Sequence, residues 1–226
     1  VYVNEKIFEI NGNGYEQKGE VMLDGKTIDP LNHPDLVFSG KVAGFCANAR
    51  LSFLAETNTW KIAGDPTEAA MIVLSEKIGF HRDTLEQEIP KIFELPFDYQ
   101  KKYHATIRTM DGKNFLTIVG APEEMLRICK NIWRNNEAEV LDEDKKKELE
   151  LVFQQMAQNG LRVVACAINP DVARSINPDA LPPLAFVGFF GMKDALRPEV
   201  KEAVQKVKSA NIRVVMITGD HRLTAT

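Results

Sequence analysis

Cysteine is scarce in this 226-residue chain and poorly placed for cross-linking. Its three copies, Cys46, Cys129 and Cys166, are odd in number, far apart and without a Cys-x-x-Cys pair. Neither a disulfide framework nor a zinc site is indicated, and buried thiols kept reduced are the expected state. Positive charge is not in excess either: 28 Lys and Arg face 32 Asp and Glu, for a formal net charge of −4. That balance speaks against a nucleic-acid partner, which needs a basic face to neutralise phosphates. Any anionic ligand must be held locally. No long apolar run occurs; the longest, Leu184 to Met192, is about half of what a bilayer crossing needs, so no membrane contact is expected. Val1 is not an initiator methionine and no basic, apolar leader follows it, which suggests a piece of a longer product. Internal repeats and low-complexity segments are lacking as well. What is there is ordinary, with 44% hydrophobic and 27% charged residues, and the length suffices for one large domain or one domain plus part of another.

Periodicity and punctuation give the elements. Val1 to Ile10 reads as a hairpin turning at Asn4-Glu5, followed by a loop at Asn11 to Gly14. Gly14 to Gly19 has the glycine spacing of a phosphate loop but continues with Glu20 and Val21 and lacks the flanking strand and helix, so it is rejected. Asn32 or Asp35 is the candidate cap of a helix through Phe38, Val42 and Phe45 to Ala49. Leu51 to Ala55 and Trp60 to Ala63 alternate as strands, and Pro66 opens a helix that ends before Gly79. Asn114 to Gly120 reads as a strand, and Pro122 to Ile128 as a short helix. Asp142 caps a helix from Glu143 to Ala157 whose acidic and basic run is its wet face. Gly160 stops that helix. Leu161 to Ile168 and Leu184 to Met192 are strands around a proline-punctuated loop, and a helix from Pro198 to Ser209 precedes a buried strand, Ile212 to Ile217. Hairpins mixed with helices argue for an α+β class with a twisted antiparallel sheet, and the strand–helix–strand order after the proline loop for part of an open α/β sheet.

Between these lies Phe93 to Arg108, two alternating strands around a polar turn with Phe97 and Lys102 at its mouth. A ring face beside an ammonium suits a nucleotide, the base stacking for roughly 1–3 kcal/mol and the cation serving the phosphates. A surface hairpin with an incidental phenylalanine fits the same residues. Four further stretches accompany it in order: Gly64-Asp-Pro-Thr-Glu68, Gly120-Ala-Pro-Glu123, Gly160-Leu-Arg162, and Val215-Met-Ile-Thr-Gly-Asp220 after Lys193-Asp-Ala-Leu-Arg197.

In that order and spacing they resemble the cytoplasmic portion of a P-type cation-transporting ATPase, nearest to the calcium and sodium/potassium pump branches. The resemblance implies a nucleotide-binding domain over residues 1–193 and a truncated part of a haloacid-dehalogenase-like phosphorylation domain over 194–226. It implies that Glu68 contacts the adenine amino group, Phe97 stacks on the base, Lys102 lines the pocket and Arg162 reaches the phosphate chain. Glu68 in a helix's first turn would also be favoured by the helix dipole alone, and Arg162 could simply pair with a surface carboxylate. Gly120 is expected to leave room for the ligand. Thr218, Gly219 and Asp220 resemble the motif that cradles the transferred phosphoryl group, and Asp194 and Arg197 the hinge between domains.

Departures exist. Val119 stands where the family usually carries lysine, and His104 and Ala105 where Met or Leu and Ser are common. No Asp-Lys-Thr-Gly-Thr and no Gly-Asp-Gly-x-Asn-Asp occurs, so the stretch is expected to be inactive alone. ATP or ADP is the implied ligand, with Mg2+ in the full-length protein and the phosphorylation, actuator and transmembrane parts of the same chain as partners. The competing readings are a free-standing phosphohydrolase, for which no nucleophilic aspartate is in place, and a non-catalytic nucleotide sensor.

Overall fold

The computed structural model describes residues 1–12, 14–56, 59–193 and 198–215. Strands β1 (Tyr2–Val3) and β2 (Lys6–Ile10) form the expected hairpin, with Asn4 and Glu5 both left-handed at φ 45° and 64°, the sense that matches strand twist. A second hairpin, β3 (Val21–Leu23) and β4 (Lys26–Ile28), turns at Asp24-Gly25 and was not anticipated. Next come α1 (Pro34–Cys46), β5 (Arg50–Leu54), β6 (Thr59–Ala63), α2 (Pro66–Lys77) and a further unanticipated helix, α3 (Arg82–Glu88). The central run is β7 (Lys91–Asp98), β8 (Tyr103–Met110), β9 (Lys113–Gly120) and α4 (Pro122–Ile128). The ribbon β10 (Asn131–Arg134) and β11 (Glu137–Val140), also unforeseen, leads to α5 (Glu143–Gln158), β12 (Arg162–Asn169), β13 (Ala185–Met192) and α6 (Pro198–Ser209).

Eleven strands make one sheet in the order β4-β3-β2-β1-β13-β12-β9-β8-β7, with the β10–β11 ribbon joined to β13. Only the β10–β13 pairing is parallel among the described residues; β5 and β6 pair separately. The α+β expectation with an antiparallel sheet therefore holds. Period-2 alternation divides the sheet's apolar side chains between two cores. Phe115, Val119, Cys166, Val187 and Phe190 pack toward α1 and α2, and Ile107, Leu116, Ile118, Ala165 and Phe189 toward α4 and α5.

Glycines end the helices where the pattern says they should. Gly79 and Gly160 are left-handed at φ 99° and 75°, and Phe80 and Leu161 donate back to Ser75 and Met156 carbonyls, the bond that satisfies a helix's last acceptors. Asn211, φ 62°, does the same for α6, with Ile212 donating to Val207 O. Here the expectation fails: Ile212 to Val215 are outside any strand, and Ile212, Val214 and Val215 are 59%, 52% and 66% exposed. Among the described residues no strand lies beside Ile212 to Val215 to complete their backbone hydrogen bonds, and without a ladder no strand forms. The cap of α1 is corrected too. His33, not Asn32 or Asp35, is its N-cap and makes no side-chain capping bond; Pro34 opens the helix and Asp35 accepts from Asn4 Nδ2 at 2.7 Å. The three cysteines are free and buried, and burial pushes the Cys129 thiol up to about 12.

Candidate nucleotide site

Strand β8 places three polar side chains where the sequence suggests a wet face. His104, Thr106 and Arg108 are 6%, 0% and 1% exposed, and burying such groups is tolerated only when they are hydrogen-bonded. The end of α1 supplies the acceptors, because its last carbonyls have no partner inside the helix. His104 Nε2 donates to Cys46 O at 2.8 Å, and Thr106 Oγ1 to Phe45 O at 2.9 Å. Arg108 donates to Phe45 O at 3.3 Å, Ile89 O at 2.9 Å and the Glu86 carboxylate at 2.7 Å, with its guanidinium 5.6 Å from the Phe45 ring centre.

This anchorage fixes the turn that follows α1. Arg82 donates to the carbonyls of Ala47 and Ala49 at 3.1 and 2.5 Å. Between them, Asn48 donates from its backbone to Glu68 Oε2 at 3.1 Å and from Nδ2 to Glu94 Oε1 at 2.7 Å, and accepts from Lys91 at 2.7 Å. Glu68 stands in the first turn of α2, which Asp65 caps by accepting from the amides of Thr67 and Glu68 at 2.8 and 3.4 Å. Gly64, φ 119°, brings this corner to Ala49, whose Cα would be 3.0 Å from a side chain there. Glu68 is thus pinned by one oxygen. The other, Oε1, takes no hydrogen bond among the described residues and is 3.9 Å from His104 Nε2.

Phe97 reaches the same face through a break in pairing. Leu95 pairs with Ala105 and Asp98 with Tyr103, so Pro96 and Phe97 together oppose His104. Strict alternation would leave Phe97 on the side of Phe93 and Leu95, which pack toward α4 and α5; the extra residue of the bulge re-aims it. Its ring is 50% exposed and meets the edge of Tyr99 at 5.3 Å. The floor continues sideways: Val119 pairs with His104 on one side and Cys166 on the other and is 4% exposed. The position where a lysine was expected by resemblance is therefore part of the core. Arg162, four residues before Cys166, shares its face of β12 and is exposed. Burial alone would raise the Asp65 carboxyl; the Thr67 and Glu68 amides and the Arg162 charge outweigh it and hold it below the usual range. Arg162 therefore lies near the start of α2.

Glu68 thus stands 3.9 Å from His104, Phe97 opposes His104 across the bulge, and the Arg162 charge acts on the cap of α2. Lys102 does not join them: its Nζ pairs with Glu123 Oε1 at 3.2 Å, in the first turn of α4, the helix packed on the opposite face. At Gly120 a Cβ would meet Lys102 O at 2.5 Å and Tyr103 Cβ at 2.7 Å, so the chain's own backbone already excludes a side chain there. Thr218, Gly219, Asp220, Asp194 and Arg197 lie outside the described residues. Sequence reading missed Asn48, which carries no motif, and His104, whose alternation with Tyr103 and Ala105 looks like solvent exposure. It also passed over Asp65, although Asp-Pro before a helical run is a start signal. A half-exposed ring, a free carboxylate oxygen and a nearby guanidinium can together hold a flat aromatic amine with an anionic tail.

The family model for the "P-type ATPase, cytoplasmic domain N" matches residues 40–199. The calcium-transporting ATPase of Bacillus subtilis is 31% identical over 228 residues, covering 100% of this chain and 25% of that protein. Calcium-transporting ATPase 1 of Bacillus cereus is 37% identical over 76% of this chain and 19% of its own length. The human calcium-transporting ATPase type 2C member 1 is 30% identical over 96% of this chain and 22% of its own. The chain thus spans about a quarter or less of the length of these relatives.

Proposed function

The chain belongs to the P-type cation-transporting ATPases, and from that premise we propose that it is the nucleotide-binding part of such a pump, holding ATP for transfer to an aspartate carried elsewhere in a longer protein. The observation that carries this reading is the bulge that sets a half-exposed Phe97 opposite His104, which stands close to Glu68, with the Arg162 charge acting on the cap of α2. Adenine would stack on Phe97 with its amino group toward Glu68, and the phosphates would run toward Arg162. Lys102 would join them by leaving Glu123, an exchange that costs little because an exposed ion pair contributes at most about 1 kcal/mol. Magnesium would arrive with the phosphates and is assigned no ligand here.

The relatives' names extend the proposal to ATP hydrolysis coupled to calcium transport by an integral membrane protein, with this part on the cytoplasmic side. No helix among the described residues is long and apolar enough to cross a membrane, so the span would lie in other parts of that protein. Titration of the chain with ATP and ADP, followed by NMR, tests the site: shifts should centre on Phe97, His104, Glu68 and Arg162. Shifts confined to other surfaces, or none at millimolar nucleotide, would refute it.

A further inference from the structure

We propose that His104 acts with Glu68 as a pair of hydrogen-bond acceptors that select a base bearing an exocyclic amino group over one bearing a keto oxygen. The inference rests on the nucleotide reading above and names what that site discriminates. Its basis is a fixed tautomer. Cys46 O can only accept, so the proton of a neutral His104 ring is on Nε2, which donates to that carbonyl at 2.8 Å. Nδ1 is left as a bare acceptor. Among the described residues Nδ1 makes no hydrogen bond, and it is not one of the atoms sealed from solvent without a partner, which are Thr67 Oγ1, Trp133 Nε1 and Arg134 Nε.

The second acceptor is Glu68 Oε1. Its sister oxygen is occupied by the Asn48 amide at 3.1 Å, whereas Oε1 is unbonded and 3.9 Å from His104 Nε2. Two acceptors that each take one hydrogen of the same amino group at ~2.9 Å stand about 5 Å apart. Nδ1 belongs to the same ring as Nε2, which stands 3.9 Å from Oε1; the clamp requires the ~5 Å separation between Nδ1 and Oε1. The pair also sits beside the stacking residue, since Pro96 and Phe97 oppose His104 across the bulge. An amino group offers both hydrogens to this pair. A keto oxygen in its place meets two acceptors and no donor, the arrangement a buried polar site rejects most strongly. A merely structural histidine needs only its Nε2 bond, as Thr106 needs only its hydroxyl on the neighbouring carbonyl.

The test is calorimetric titration of the 226-residue chain with ATP and ITP, which differ in the group at C6 and in the proton that the keto base carries on N1, alongside melting curves. The unaltered chain should prefer ATP by ten-fold or more. His104→Leu should cut that ratio about five-fold with ITP affinity little changed, and His104→Gln, which offers an N–H to Cys46 O and a carbonyl to the amine, should keep it. Should the leucine variant fail to fold, N6-methyl-ATP on the unaltered chain decides. Two acceptors predict a loss of affinity on the first methylation, and binding equal to that of ATP overturns the clamp. Equal binding of ATP and ITP, or an unchanged ratio in a folded His104→Leu, also overturns it while leaving the nucleotide reading intact. Failure of both nucleotides to bind refutes that reading and takes the clamp with it.

Discussion

Phe97→Ala separates binding from stability. In the free chain Phe97 is 50% exposed, and its one ring partner among the described residues is Tyr99, 89% exposed and edge-on at 5.3 Å. Half of a buried phenylalanine's transfer free energy is about 1 kcal/mol, which in a domain of this size lowers the melting point by about 2–4 °C. Binding depends on the ring far more. A stack, a hydrogen-bonded amine and one or two exposed charge contacts, less the cost of association, leave around 4–5 kcal/mol, or a dissociation constant from millimolar down to tenths of millimolar. Stacking supplies roughly 1–3 kcal/mol of that, so the alanine variant should bind about five- to more than a hundred-fold more weakly, with a dissociation constant of about one millimolar at the tightest and about ten millimolar at the middle of the range. Phe97→Leu distinguishes stacking from mere apolar contact: it keeps much of the buried area, lacks a π face, and should lose most of the affinity too. Phe97→Tyr should retain it. The measurements are nucleotide titration and thermal melting on the same preparations. An alanine variant that binds ATP like the parent chain, or one whose melting point falls by ten degrees or more, refutes the assignment of this ring as an exposed base platform.

Gly120→Ala should destabilise by about 1–3 kcal/mol, because its Cβ would press on Lys102 O and Tyr103 Cβ; an unchanged melting point would show that the two strands give way freely. Arg108→Met fills the volume but strands Ile89 O and part of the α1 terminus, at a cost of about 2–4 kcal/mol in urea unfolding; a variant as stable as the parent would mean that the buried polar row is dispensable. Acid should weaken the fold through Glu86, whose carboxyl is held below its usual range by the Arg108 hydrogen bond, against burial. A depressed carboxylate contributes stability that is fully present above the unfolded-state value and lost as pH falls through the folded one. The loss should therefore begin as pH falls through the ordinary carboxylate range and be complete only below it, and Glu86→Gln should flatten that limb of a stability–pH curve; an unaltered acid limb would exclude this pair as its source.

Local chemistry determined the elements. Asp65-Pro66 before an apolar helical period, Asp142 before another, and Gly79 and Gly160 after them mark helix ends because caps and left-handed residues are local requirements. Alternation marked β7 and β8, a β-branched run β12 and a continuous apolar run β13, again from a few consecutive residues, and the order of short motifs carried the family resemblance. Elements whose signals are shorter were lost: β3 and β4 are three residues each and β10 and β11 four, too few periods to stand out. The tertiary structure decided the faces. A period of two states that His104, Thr106 and Arg108 share a side, but not whether that side is wet. The answer lies with carbonyls at the end of α1, 58 to 63 residues away in sequence. A one-residue bulge, invisible in the alternation of Phe93, Leu95 and Phe97, sets Phe97 opposite His104 instead of in step with Leu95. Lys102 turns toward Glu123 because a half-exposed cation takes the nearest carboxylate, and that neighbour is set by how α4 packs. Period and punctuation are properties of a few consecutive residues; burial, register and ion pairing belong to whatever segment arrives from elsewhere in the chain, and that only the folded molecule specifies.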